Sequence, residues 1–241
     1  MDQDKVKELV RHLSESHDDT VRKFSADEVL EKFSDTTYRI CRVPVQLELV
    51  LEMWQQHRIL PEKLDDLFKY ALSGILDDRR WQEEEHSDYP DTVARVAYKM
   101  LTEKRAYDPK SHELPQPLVE ELTTRKLLVT HGDVMEFRHD KIRAYLAFLY
   151  FKDRWRSLLT DPKTLVDSNW DSMIEFELAQ EKQPNIARSI LFLLLERDFE
   201  TAKRCFAWLL QNRSHLCVEW HQEFSLALAA KIVEDVRVTL S

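Results

Sequence analysis

The stretch Lys126-LLVTHGDVMEFRHDKIRAYLAFLYF-Lys152 contains the change of hydrophobic period that decides the fold. Two short apolar runs, 127–130 and 134–138, flank His131-Gly132-Asp133, which holds one of only two glycines in the chain. Such runs around a glycine-containing turn predict a β-hairpin. Apolar residues then follow at helical spacing, so a long helix is predicted from Lys141 to about Trp155, with Asp140 as its N-cap.

Helical patterns surround this hairpin on both sides. Upstream, the apolar spacing predicts helices over 4–13, 26–33 (with Ser25 as N-cap), 44–56, 93–104 and 117–125, and a further one that starts at Leu60-Pro61. Downstream it predicts helices near 162–181, 185–197, 199–212 and 218–238. The β-branched segment 36–43 fits a short strand or a turn, and 107–114 is predicted to be a loop.

Composition agrees with a mostly helical chain. Of 241 residues, 43% are hydrophobic and 33% charged, which suits one large domain or two small ones. Average usage of about 7% would give roughly 17 glycines instead of the two present. Phosphate loops, Rossmann turns and hairpin-rich sandwiches need residues at positive φ, where glycine is favoured. The low glycine content therefore argues against these folds.

The predicted fold is therefore mostly α, in five consecutive segments. Residues 1–36 are N-terminal helices, 37–81 form a helical subdomain, and the polar, acidic stretch 82–91 is a linker. Residues 92–155 follow the order helix, helix, hairpin, helix, which is typical of a winged-helix-like unit. Residues 156–241 form an antiparallel, repeat-like helical region.

Charge and cysteine content exclude several classes of partner. The net charge is −9, and parts divided at residues 80 and 155 carry −4, −2 and −3. No part is basic, which disfavours binding to nucleic acid or to an anionic membrane surface. The longest apolar stretch, 190–195, is too short to span a bilayer. Cys41, Cys205 and Cys217 are an odd set of scattered thiols, which predicts a reducing, cytoplasmic location.

Motifs of catalysis and metal binding are absent from the sequence. It contains no G-x-x-x-x-G-K-[ST], G-x-G-x-x-G, G-x-S-x-G, H-E-x-x-H or C-x-x-C. Cys205 and Cys217 lie near His215 and His221, but among apolar helical positions and without the spacing of a tetrahedral zinc site. We therefore predict no catalytic residues and no bound metal, and expect the chain not to be an enzyme on its own.

Three segments, taken in order, resemble the region that follows the nucleotide-binding core in NACHT-type STAND ATPases. They are Thr37-YRICRVPVQLELVLEMW-Gln55, Ile59-LPEKLDDLFKYALSGIL-Asp77 and Val134-MEFRHDKIRAYLAFLYF-Lys152. In that family a proline opens the helical subdomain, Leu-Pro introduces its second helix, and the winged-helix subdomain ends in Phe-x-His followed by Tyr-Leu-Ala. The matching residues are Pro44, Leu60-Pro61, Phe137-Arg138-His139 and Tyr145-Leu146-Ala147. The resemblance covers about 37–155, roughly half of the chain.

The resemblance implies a regulatory part of a signalling ATPase. Residues 1–36 would then be the tail of the nucleotide-binding core, and residues 156–241 would begin the variable helical-repeat or sensor region. Pro44 would pack on the adenine, and His139 would reach the β-phosphate of ADP and hold the closed, inactive state. The phosphate loop and the magnesium-binding acidic strand are missing, so the chain is expected to be a C-terminal piece of a longer protein or a degenerate frame. ADP or ATP would bind only together with an upstream nucleotide-binding domain, and activation would involve oligomerisation.

Other interpretations remain open at the level of sequence. Pro44 also fits simple helix initiation, and His139 fits a residue that caps a helix or completes a hairpin. The whole chain also fits a helical scaffold that binds a protein partner through its last helices. A winged-helix DNA-binding protein is the third alternative. Its recognition helix, 117–125, would set Glu120 and Glu121 against Arg125 and Lys126, which leaves little attraction for phosphates.

Overall fold

A computed structural model of the chain describes residues 1–15, 24–76, 88–164, 166 and 170–239. Of these residues 72% are helical, and the one sheet found among them is a two-stranded hairpin. The predicted mostly-α fold with one small hairpin is therefore confirmed. The chain divides into two compact units, Met1–Ser87 and Asp88–Ser241. In the described part of the chain, no helix combines the length and apolar character needed to cross a bilayer.

The described residues of the first unit form five helices around one apolar core. They are α1 (Gln3–Glu15), α2 (Ala26–Glu31), α3 (Asp35–Ile40), α4 (Pro44–His57) and α5 (Leu64–Leu76). The buried core residues are Val6, Val10, Phe24, Val29, Ile40, Cys41, Leu47, Val50, Leu51, Trp54 and Leu67. Residues of α1 and α2 thus share a core with residues of α4 and α5, which stabilises the N-terminal helices by apolar burial.

Local capping explains where α2 and α3 of this unit begin. Ser25 caps α2, as predicted, since its hydroxyl accepts a hydrogen bond from the Glu28 amide. The segment 36–43, predicted as a strand or a turn, is mostly helical in α3. The Ser34 hydroxyl accepts a hydrogen bond from the Thr37 amide at 3.1 Å, and this cap outweighs the β-branched composition.

The helix that was predicted to start at Leu60-Pro61 begins later in the structure. α4 ends at His57, where Arg58 adopts a left-handed conformation with φ of 58°. α5 begins only at Leu64, with Asp65 and Asp66 in its first turn. Carboxylates stabilise a helix N-terminus through its dipole, which favours initiation at this point rather than at the proline.

The second unit begins with the predicted order of helix, helix, hairpin and helix. The elements are α6 (Tyr89–Thr102), α7 (Gln116–Thr124), β1 (Leu128–His131), β2 (Val134–Phe137) and α8 (Asp140–Phe151). α6 starts four residues before the predicted Val93, because Pro90 occupies its first turn, where proline is favoured. The last residues of the predicted linker thus belong to α6, while 82–87 lie outside the described residues.

The hairpin pairs Leu128 with Phe137 and His131 with Val134. Gly132 has a φ of +63° at the first loop position, where a two-residue hairpin favours glycine. Tyr107, in the predicted loop 107–114, forms an isolated bridge to Met135, with both backbone hydrogen bonds at 2.8 Å. Buried Leu128, Met135 and Phe137 face the interior and attach the hairpin to the helices.

α8 differs from its prediction at both ends. Asp140 is its first residue rather than its N-cap, because the carboxylate pairs with Arg143 at 2.8 Å and His139 occupies the cap position. The helix ends at Phe151 instead of Trp155. Arg154 turns back there, donating to the Tyr150 carbonyl at 3.1 Å and to Asp91 on α6 at 2.9 Å.

Five more helices complete the second unit: α9 (Trp155–Thr160), α10 (Asp171–Gln180), α11 (Pro184–Arg197), α12 (Phe199–Asn212) and α13 (His221–Thr239). The single helix predicted near 162–181 is wrong in its first part. Residues 161–164 are not helical, since the Asp161 carboxylate accepts from the Lys163 amide in a turn. Residues 165 and 167–169 lie outside the described ranges. α13 starts three residues later than predicted, after a 3₁₀ turn at Ser214–Leu216.

Candidate functional site

His139 lies at the junction between β2 and α8. It is the N-cap residue of α8, with extended φ and ψ of −137° and 124°. Its backbone carbonyl accepts from the Ile142 and Arg143 amides at 3.0 and 3.1 Å. The imidazole makes no capping hydrogen bond and is half-buried. The side chain is therefore not used to complete the start of the helix, which was one of the two structural alternatives for this residue.

Three cations lie within five residues of this junction. Arg138 is exposed, while Lys141 and Arg143 are half-buried, and Asp140 is the one carboxylate between them. The positive end of the α8 dipole adds to their charge. Asp140 offsets the charge of Arg143, and the Glu175 carboxylate on α10 lies within electrostatic reach of Lys141.

Arg143 shares a helix face with His139, because the two residues are four positions apart. Its Nη2 is bound to Asp140 at 2.8 Å, whereas its Nε is buried with no hydrogen-bond partner among the described residues. Buried donors are nearly always paired in native structures, so the unpaired Nε next to the junction is an unusual feature.

The first turn of α8 is held in place by contacts to α10. Lys141 Nζ donates to Ser172 Oγ at 2.7 Å. Further along α8, the ring of Tyr145 packs edge-on against Phe176 with a centroid distance of 5.4 Å. Tyr145, Leu146 and Ala147 are all buried, so the Tyr-Leu-Ala segment serves as the packing face of the helix. The junction is therefore carried by a rigid element.

Pro44 is the first residue of α4 and is exposed. Val43 precedes it as N-cap without a side-chain capping bond. The proline therefore initiates the helix, as predicted, and still presents its ring to solvent. Pro44 belongs to the first unit and His139 to the second.

The cysteines are free thiols with no sign of a reactive site. Cys41, Cys205 and Cys217 are buried and unpaired. Burial raises the pKa of Cys41 to about 12 and that of Cys205 well above its ordinary value. Neither thiol ionises near neutral pH, and both behave as small apolar residues. Across the described ranges, no three metal-ligating side chains come together.

Two polar features of the packed helices were not singled out from the sequence. Arg204 on α12 binds Asp171 on α10, and its guanidinium also donates to Thr201 Oγ1 at 2.9 Å. Glu177 on α10 is only 9% exposed, and burial, reinforced by Glu181 and Asp153, raises its pKa to about 7. Both positions look like ordinary helical charges in the sequence, because the surroundings of each depend on which helices pack together. The spacing of His139 and Arg143 was a signal that could have been found.

A groove of about 420 Å³ lies beside the α11–α12 connection. Its charged groups already have structural roles. Arg197 donates to the Asp161 and Thr164 carbonyls, Asp198 caps α12, and Lys231 pairs with Glu234 at 3.2 Å. The groove therefore offers no convergent set of donors or acceptors for a ligand.

Comparison of the chain with protein-family models, curated proteins and solved structures finds no match.

Proposed function

We propose that the chain is the non-catalytic regulatory portion of a NACHT-type STAND signalling ATPase, with His139 and Arg143 contacting the phosphates of ADP bound to an upstream core. The observation that carries the proposal is the unpaired, buried Arg143 Nε on the same helix face as a histidine that does not cap its helix. A phosphate oxygen is an acceptor suited to both groups, and charge-assisted bonds of this kind are strong.

The surrounding features support the same proposal. The positive charge of Arg138 and Lys141 and the dipole of α8 favour an anion at this junction. The packing of α8 on α10 fixes the position of the site. A contact that stabilises one state of a conformational switch needs such a fixed position. The exposed ring of Pro44 offers an apolar surface for an adenine.

In this proposal the chain supplies contacts and an upstream domain supplies catalysis. ADP or ATP is held mainly by that domain, and magnesium is bound there too. The chain closes over ADP in the inactive state, and movement away from the nucleotide permits oligomerisation and signalling. The buried, unpaired thiols support a reducing, cytoplasmic setting. The acidic net charge supports a protein partner rather than nucleic acid.

The first test is the gene itself. We expect an in-frame sequence upstream of Met1 that encodes a phosphate loop and an acidic strand. An upstream frame closed by a stop codon, with no gene for a phosphate-loop protein beside it, would contradict the proposal.

The second test measures ADP release from the chain joined to that core. His139→Ala should remove one charge-assisted hydrogen bond, worth about 1.5–3 kcal/mol, from the closed state only. ADP retention should fall by roughly 10- to 150-fold, and oligomerisation should increase.

The matched control is His131→Ala, which removes an exposed imidazole from the end of β1 in the same unit. It should leave the ADP off-rate unchanged. Thermal melts of both variants establish equal folded fractions. Equal off-rates for the two variants at equal folded fraction would assign His139 a purely structural role and end the nucleotide-switch proposal.

A further inference from the structure

α13 carries exposed apolar side chains in addition to its buried anchor. Phe224 is buried against the preceding helices, and Ala227, Leu228 and Lys231 are half-buried. On other faces, Leu226 is 74% exposed, Val233 51% and Val236 50%. Exposed apolar side chains that lie together on one side of a helix often mark a contact surface. The exposed apolar residues therefore indicate a surface that another helix covers.

The exposed residues form one continuous stripe. Leu226, Ala229, Val233 and Val236 follow the spacing three, four, three, which is the a/d pattern of a paired helix. At 100° per residue the stripe lies on the side of α13 opposite Phe224. We call these four residues the α13 seam. The two alanines of the central turns, Ala229 and Ala230, are small and allow close approach of a second helix backbone.

Charges beside the seam are arranged symmetrically with opposite sign. Glu223 and Arg237 lie seven residues before and after Ala230, on the same flank of the seam. When two such helices run antiparallel, the start of each lies beside the end of the other. Each glutamate then lies beside the arginine of the other helix, at both ends of the pair, whereas parallel pairing would leave these two charges on opposite sides of the seam.

We propose that the α13 seam pairs antiparallel with the α13 seam of a second copy of this chain. Leu226 packs against the partner subunit's Val236, and Ala229 against the partner subunit's Val233. Glu223 lies beside the partner subunit's Arg237, in addition to its ion pair with Arg188 in its own chain. The contact is isologous, as a twofold dimer requires. This inference does not depend on the nucleotide-switch proposal.

The dimer should be weak and concentration-dependent. From Leu226 to Val236 the seam spans about three turns, roughly 15 Å at 1.5 Å per residue. Such a contact is smaller than a standard protein interface, which places it among transient associations. The measurement must therefore cover a wide range of concentration.

The principal test is analytical ultracentrifugation of the full chain from about 1 to about 200 µM. The mass should rise from the monomer value of 28.8 kDa towards twice that value. Leu226→Lys combined with Val233→Lys should remain monomeric throughout, because both side chains are exposed in the monomer and lysine is a good helix former. Ile59→Lys, at another residue that is 57% exposed, is the matched control and should dimerise as the wild type does.

A wild-type chain that stays monomeric over this range overturns the proposal. The α13 seam would then bind a partner other than a second copy of the chain. Dimerisation of the double lysine variant to the wild-type extent overturns it as well. Circular dichroism of the variants establishes that α13 remains helical.

The direction and register are tested by thiol crosslinking with a short bifunctional reagent. Ala230→Cys lies near the twofold axis and should crosslink to its own copy. Leu226→Cys should not link to itself but should link to Val236→Cys when the two variants are mixed. The natural cysteines are buried and provide a low background. Self-linking of Leu226→Cys without self-linking of Ala230→Cys would contradict the antiparallel arrangement.

Discussion

The rings of Phe206 on α12 and Phe224 on α13 lie 4.5 Å apart, measured between centroids. Phe192 of α11 packs edge-on against Phe224 at 5.2 Å, and Trp220 at 6.1 Å. Aromatic pairs at these separations add to the stabilisation from burial. Phe224 is thus the fully buried anchor of the last helix.

Phe224→Ala should therefore release α13 from the rest of the second unit. Loss of a buried phenylalanine ring costs about 3–5 kcal/mol, and little else on this helix is fully buried. Hydrogen exchange should show faster exchange of the α13 amides, and urea unfolding should show reduced stability. Leu226→Ala, on the exposed face of the same helix, should change both by far less. Equal effects of the two variants would contradict the assigned orientation of α13.

Lys126 adopts a strained, left-handed backbone conformation at the end of α7. It has a φ of 55°, its amide donates to the Thr123 carbonyl at 2.9 Å, and the Leu127 amide donates to the Leu122 carbonyl at 2.8 Å. These are the two bonds of a Schellman motif, in which glycine is preferred at the left-handed position. Lys126→Gly should raise the free energy of unfolding by about 0.5–1 kcal/mol, measured by urea denaturation.

Arg125→Gly is the matched control for that substitution. Arg125 has an ordinary φ of −78° and pairs with Glu121 at 2.6 Å, so glycine there only adds freedom to the unfolded chain and removes an ion pair. It should destabilise the protein. Destabilisation by Lys126→Gly as well would show that the lysine side chain matters more than the backbone conformation.

The purified chain alone should show no ATPase turnover. Its two glycines, Gly74 and Gly132, are 58 positions apart and cannot form a phosphate loop. Phosphate release from magnesium ATP should match a buffer blank at every chain concentration. Turnover that co-purifies with the chain and scales with its concentration would contradict this expectation.

Local sequence signals predicted the helices and the hairpin well, because each depends on neighbours along the chain. The alternation around Gly132 fixed the hairpin, and the spacing after Asp140 predicted α8 although not its ends. The strand-or-turn prediction for 36–43 was wrong because one hydroxyl, that of Ser34, caps a helix there. The end of α8 at Phe151 depends on the contact between Arg154 and Asp91, which is 63 residues away in sequence.

The candidate site was only partly visible in the sequence. His139 and Pro44 were proposed from a resemblance, and the structure gives the local setting of each residue. The unpaired Nε of Arg143 and the burial of Glu177 depend on packing between helices, which periodicity does not specify. The exposed seam of α13 was likewise hidden, since an apolar helical pattern does not tell which faces are covered.

Glu177 makes stability fall as pH rises. Burial and the nearby carboxylates of Glu181 and Asp153 raise its pKa to about 7, while Lys152 opposes them. The folded state therefore binds a proton more tightly than the unfolded state between about pH 4.5 and 7, and stability decreases across that window as the pH rises. Glu177→Gln keeps the shape without the charge, so at pH 8 it should be more stable than the wild type by about 3 kcal/mol, while at pH 4 the two should agree. Urea denaturation at both pH values measures the difference.

Glu136→Gln, which removes an exposed carboxylate from β2, controls for the change in net charge. A gain for Glu177→Gln that is the same at pH 4 and pH 8 would show that its origin is packing rather than the buried charge.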